Sequence, residues 1–204
     1  MTSLSVAAST GFFTSIALIL AIGAQNAFVL KQGIMRSHIF WVCLICAVSD
    51  ALLISAGVFG FGVIVEQYPS LPRYMTLGGA AFLVFYGLTR FLAAYAGSKQ
   101  TVTSSKSTAF LPTIVVCLAL TWLNPHVYLD TLGLIGAVST QYLEAGQKIA
   151  FGIGAVFASF VFFFSLGYGA RFLAPIMQTE NTWRILDVLI GLLVWFLAYG
   201  LLTN

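Results

Sequence analysis

Charge is what this sequence has least of. Nine basic and six acidic residues are spread over 204 positions, so only 7% of the chain is charged, while 60% is hydrophobic. A soluble domain carries charge on about a quarter of its residues. The deficit excludes an ordinary soluble fold, which would have too little polar surface to cover itself. Runs of basic residues are also missing. The net charge of +3 comes from single Lys and Arg residues at the ends of apolar stretches, so a nucleic-acid-binding surface is excluded. Cysteine is scarce. Cys43, Cys46 and Cys117 all fall inside apolar runs, which excludes an extracellular disulfide framework.

What is present is hydrophobic length. Six apolar runs cover roughly 11–30, 39–65, 74–96, 110–136, 149–173 and 184–203. About 20 residues of helix cross a hydrocarbon core of about 30 Å. Backbone groups in lipid must be satisfied within the segment, so each run is expected to be helical. The connections are short, and the longest, GSKQTVTSSKST from Gly97 to Thr108, reads as a surface loop. No Lys or Arg precedes the first run, and its apolar core is too long for a cleaved signal peptide. The expectation is an all-α integral membrane protein of six transmembrane helices, forming one transporter domain over residues 1–204.

Lys31, Arg36, Arg90, Lys99, Lys106, Arg171 and Arg184 fall on one side of this scheme, and only Arg73 and Lys148 on the other. Cytoplasmic loops collect Lys and Arg. Both termini are therefore expected outside.

The two halves resemble each other. LAIGAQNAFVL at 20–30 lies over LALTWLNPHVY at 118–128, with Asn26 against Asn124. Halves of about 6–96 and 107–204 with three spans each start from opposite faces, which makes an inverted repeat with a site near the midplane. Pro125 has no N–H to give the carbonyl of Thr121 and crowds the preceding turn. Gly23 loosens the first run, where Gln25 and Asn26 can bond to backbone or ligand. Helices 1 and 4 are therefore expected to be interrupted and to meet at the centre. As plain interhelical glue, each amide would be worth only about 0.6 kcal/mol.

Asp50 sits near the middle of the second run, and Asp130 lies six residues beyond Asn124, about 9 Å along an unbroken helix. An ionised carboxylate at bilayer depth costs at least ~2.5 kcal/mol. Almost no cation lies inside the runs, so two buried carboxylates invite a mobile one: a cationic substrate, a metal ion or protons. When the site empties, at least one carboxylate is expected to take up a proton, coupling proton uptake to cation release. Asp187 reads as structural, near the membrane interface and beside Arg184. His126 precedes Asp130 by four residues and shares its helix face, as a proton relay or as a packed histidine. Tyr128 follows Asn124 by the same spacing and could line the same cavity. Cys43 and Cys46 form a CxxC inside an apolar helix, where cysteine behaves as a small hydrophobe. Paired glycines such as Gly152 and Gly154 let helices approach closely.

IGAQNAFVLKQGI at 22–34, VSD ending at Asp50 and LTWLNPHVYLDT at 120–131 closely resemble the basic amino-acid exporters of the LysE family. The resemblance covers essentially the whole chain. It implies export of L-lysine or L-arginine from the cytoplasm across a bacterial inner membrane. The drive implied is the membrane potential with a proton or sodium ion as coupling ion, in antiport. It assigns substrate contacts to Gly23, Gln25, Asn26, Asp50, Asn124, Pro125, Tyr128 and Asp130, and no cofactor or resident metal. The loop between spans 3 and 4 is shorter here than in some relatives, so no gating role is carried over to it. Homo-oligomer formation is left open.

Three other classes compete. A cation or metal efflux protein would use Asp50 and Asp130 as hard-oxygen ligands, with His126 the only imidazole nearby. A thiol–disulfide carrier would use Cys43 or Cys117. A non-transporting assembly subunit would have no use for two buried carboxylates.

Overall fold

The computed structural model describes residues 3–20, 23–60, 71–96 and 109–203, and among these every regular element is helical. Helix α1 spans Leu4–Ile19, opened by the Ser3 side chain accepting from the Val6 N–H. Helix α2 spans Ala24–Ile34 and is bent from α1 by 83°. Helix α3, Ile39–Phe59, ends at Gly60, whose φ of 119° suits a left-handed cap. Helix α4 spans Leu71–Ala96.

The fourth apolar run is divided. Helix α5, Phe110–Trp122, stops at Leu123 and Asn124; the chain resumes as α6, Pro125–Tyr128, a π-helical segment, Leu129–Leu134, and α7, Ile135–Ser139. Proline at the first helical position lacks only an N–H that would be unpaired there anyway. Helix α8, Ala145–Gly169, continues into a 3-10 segment, Ala170–Gln178, and α9 spans Glu180–Thr203.

Among the described residues, Ile39–Phe59, Ala145–Ile176 and Asn181–Gly200 are each long and apolar enough to cross a membrane, and the bent pair α1–α2 makes a fourth. Against the six expected crossings, Ala80–Ala96 and the pieces of the divided run, Phe110–Trp122 and Asp130–Ser139, are shorter apolar helices. The outward faces are apolar, with Phe13, Phe59, Tyr95 and Phe196 among the large side chains left exposed. A water-soluble monomer could not carry such a surface, and a bilayer demands it.

Helix α1 lies along α8, α4 pairs with α9, and α3 packs on α8, α5 and the π segment. The α1–α8 contact is backbone on backbone. A Cβ at Gly11 would overlap the carbonyl of Phe151, and one at Gly154 would overlap the carbonyl of Ala8. With little hydrophobic force between helices in lipid, such small-residue contacts hold them together. One core cluster joins Phe28, Val42, Leu83, Phe163 and Trp183, and a second joins Ala7, Ile54, Ile135 and Phe151.

The structure corrects the sequence analysis on Asp187. It is fully buried, and its Oδ1 lies 2.5 Å from Lys31 Nζ on α2 and 3.6 Å from Arg90 on α4, while Arg184 is exposed. Lys31, expected at a span end, is itself 4% exposed. Helix α2 runs on past the apolar stretch to Ile34, which carries Lys31 inward against α9. A buried ion pair gains little over an apolar replacement, yet losing one member leaves an uncompensated charge.

Asp187→Asn is therefore expected to cost about 3–5 kcal/mol of stability. The double variant Lys31→Met/Asp187→Leu should recover the part due to Lys31, with Arg90 still left without its carboxylate. Thermal unfolding of detergent-solubilised protein would show the order; a single variant as stable as wild type would contradict the charge argument.

Candidate functional site

Two chain breaks face each other. At the first, α1 ends with Leu20 and α2 opens at Gly23, an extended residue that gives α2 no side-chain cap. At the second, α5 ends with Leu123 and α6 opens at Pro125. Each break frees carbonyls that membrane interior cannot satisfy. Asn26 Nδ2 donates to the carbonyl of Ile19 at 2.7 Å, and Tyr128 Oη donates to the carbonyl of Trp122 at 2.7 Å. One task of the Asn in span 1 is thus to stitch its own broken helix.

Between the breaks is a cavity of about 70 Å³. Gly23, Gln25 and Asn26 border it from the first break, and Asn124 and Val127 from the second. The π segment brings Asp130 and Thr131, α3 brings Asp50, and α8 brings Phe163. Sites for drug-sized ligands measure ~300 Å³ or more, so the cavity is a small one. A π-helical turn is a frequent device at functional positions; here it carries Asp130 on the cavity wall.

Asp50 is 3% exposed, and its Oδ2 accepts from Ser159 Oγ at 3.2 Å. The neighbouring Ser49 hydroxyl accepts from Trp122 Nε1 at 3.1 Å, tying α3 to the end of α5. Gln25 is buried with its amide nitrogen unpaired. The lining residues that the structure describes include two carboxylates and three amides, and no Lys or Arg.

Six of the positions expected from sequence, Gly23, Gln25, Asn26, Asp50, Asn124 and Asp130, therefore share one cavity. Tyr128 does not border it; its hydroxyl is spent on the break. The side chains of Pro125 and His126 lie outside the described residues, and so does any His126–Asp130 pair. Sequence reasoning missed Ser159, Phe163 and Thr131. A serine deep in an apolar run was the one available signal for Ser159; nothing in the pattern marks Phe163 among 18 phenylalanines. The three cysteines are free and buried, with Cys46 and Cys117 sulfurs 3.5 Å apart.

Residues 16–204 match the family described as LysE type translocator. The chain belongs to the LysE type translocator family. Among curated proteins it is similar to the arginine exporter protein ArgO of Enterobacter sp. (strain 638), 41% identical over 192 residues, covering 94% of this chain and 90% of that one. The arginine exporter proteins ArgO of Salmonella paratyphi A and Klebsiella pneumoniae (strain 342) are each 40% identical over the same coverage. No solved structure matches. Membership of the LysE type translocators, with several apolar helices, makes the chain a multi-pass membrane transporter.

Asn26→Ala is expected to cost about 1–3 kcal/mol by leaving the Ile19 carbonyl without its donor. Unfolding by heat or denaturant in micelles would measure it. A variant of unchanged stability would mean that another group takes over that carbonyl.

Proposed function

We propose that this protein exports basic L-amino acids, arginine foremost, from the cytoplasm across a bacterial inner membrane. The observation that carries the reading is the placement of Asp50 and Asp130 on one cavity whose described lining holds no basic side chain. Such a cavity receives a cation from outside the chain. The names of the relatives, arginine exporters at 40–41% identity over 94% of the chain, select the cation.

In this reading the carboxylates hold the cationic groups of the substrate. Helix α2 opens at Gly23 without a side-chain cap, and its partial positive end suits the substrate carboxylate. Gln25, Asn26 and Asn124 supply amide contacts; Pro125 keeps the second break open. Tyr128 acts by closing the carbonyl of Trp122, and His126 is a relay candidate beside Asp130. Transport is secondary, driven by the membrane potential, with a proton or sodium ion taking the carboxylates as substrate leaves. The architecture proposed is six spans in two inverted three-helix repeats within a single domain, both termini outside. Lysine is the second substrate under this scheme.

Asp50→Asn should reduce transport to background while the protein still inserts in the membrane. Uptake of labelled arginine and lysine into proteoliposomes, wild type beside the variant, decides this under imposed potential and ion gradients. Arginine movement by wild type alone supports the counter-ion role. Equal movement by Asp50→Asn would sink it, and no movement by wild type would remove the transport assignment itself.

A further inference from the structure

Three helices meet at a charge count that does not balance. Lys31 of α2 and Arg90 of α4 both reach Asp187 of α9, at 2.5 and 3.6 Å. Two cations share one carboxylate. Helices α2 and α4 contain no acidic residue. The other acid of α9, Glu180, is its first residue, about 10 Å along the axis from Asp187. One positive charge is therefore left over. Asp187 is fully buried and Lys31 nearly so, and Arg90 keeps 23% of its side chain exposed. A charge taken out of water without a partner is costly.

Unmet donors belong to the same junction. Tyr86 stands one turn before Arg90 on α4, and Trp183 one turn before Asp187 on α9, so each shares a helix face with its charged neighbour. The two helices are paired, and Tyr86 and Trp183 lie in one core cluster. The Arg90 guanidinium sits over the Tyr86 ring, 5.1 Å from its centre. Tyr86 Oη, Arg90 Nε and Trp183 Nε1 are enclosed by protein, and none has a partner among the described residues. Buried polar groups nearly always have one. A surplus positive charge and three unmet N–H and O–H groups call for the same thing, an anion.

We propose that the junction of α2, α4 and α9 binds one small monovalent anion, with chloride the simplest that fits. The surplus charge is one, so a monovalent ion brings the cluster to neutrality. The unmet donors are enclosed, which selects a compact ion over a carboxylate or a phosphate ester. Asp187 Oδ2 also has no partner among the described residues; a water in the shell of the ion donates to it, as buried waters do for such atoms. None of Lys31, Arg90 and Asp187 borders the cavity of Asp50 and Asp130. The proposal therefore stands apart from the transport reading.

The test is thermal unfolding of the full-length protein in neutral detergent, at fixed pH and ionic strength, with chloride replacing gluconate. Raising chloride about a hundredfold should raise the wild-type Tm by about 5 °C. Bromide should act in the same way, and crystals grown with it should show its anomalous signal between Arg90 and Trp183. Arg90→Gln removes the surplus charge, and its Tm should ignore chloride. Trp183→Phe keeps an aromatic ring and loses one N–H donor, so its half-effect chloride concentration should rise about tenfold. Where Arg90→Gln does not fold, Trp183→Phe decides. An equal chloride response in wild type and both variants would overturn the proposal. A wild type indifferent to chloride would also overturn it, and would assign the balance of charge to a neutral Lys31.

Discussion

Everything in this structure depends on one constraint: a backbone group in hydrocarbon must find a partner in the protein. An unbroken helix meets that condition and offers nothing to a ligand. This chain breaks two helices and then repairs each break with a side chain from just beyond it. Asn26 closes the carbonyl of Ile19, and Tyr128 closes that of Trp122. The repairs let the breaks persist, and the breaks leave room for a polar cavity with Gly23 and Asn124 on its edges.

The carboxylates within the apolar runs differ in their described neighbours. Asp187 meets cations built into the chain, Lys31 on α2 and Arg90 on α4, with the Arg90 guanidinium also over the Tyr86 ring. That charge is settled during folding and joins three helices. Asp50 and Asp130 border a space whose described lining has three amides and the Thr131 hydroxyl but no Lys or Arg. The same side chain is a structural tie in one place and, in the transport reading proposed above, a receptor for a mobile cation in the other. The difference lies in the neighbours, which only the fold supplies.

Much of this was legible in the sequence. Apolar length gave the helices, and the polar residues inside apolar runs gave most of the cavity lining, because lipid makes each such residue costly. The matched Asn26 and Asn124 pointed to the two breaks. Side-chain direction was not legible. Asp187 looked like an interface residue because Arg184 stands three positions away, and no periodicity announces that Lys31, 156 residues distant, turns inward to meet it. Tyr128 was placed by spacing on the cavity, but a freed carbonyl competed for its hydroxyl and won. Phe163 was invisible for a compositional reason: an aromatic in an apolar helix looks the same whether it faces lipid, core or ligand.

Helix α2 carries its two kinds of polar group on different sides. Gln25 and Lys31 are six residues apart, which places them about 120° from each other around the axis. Gln25 faces the cavity; Lys31 grips Asp187 on the last helix. The short helix therefore joins the last span to the cavity wall: one element of 11 residues carries both the ammonium held by Asp187 and the amide on the cavity.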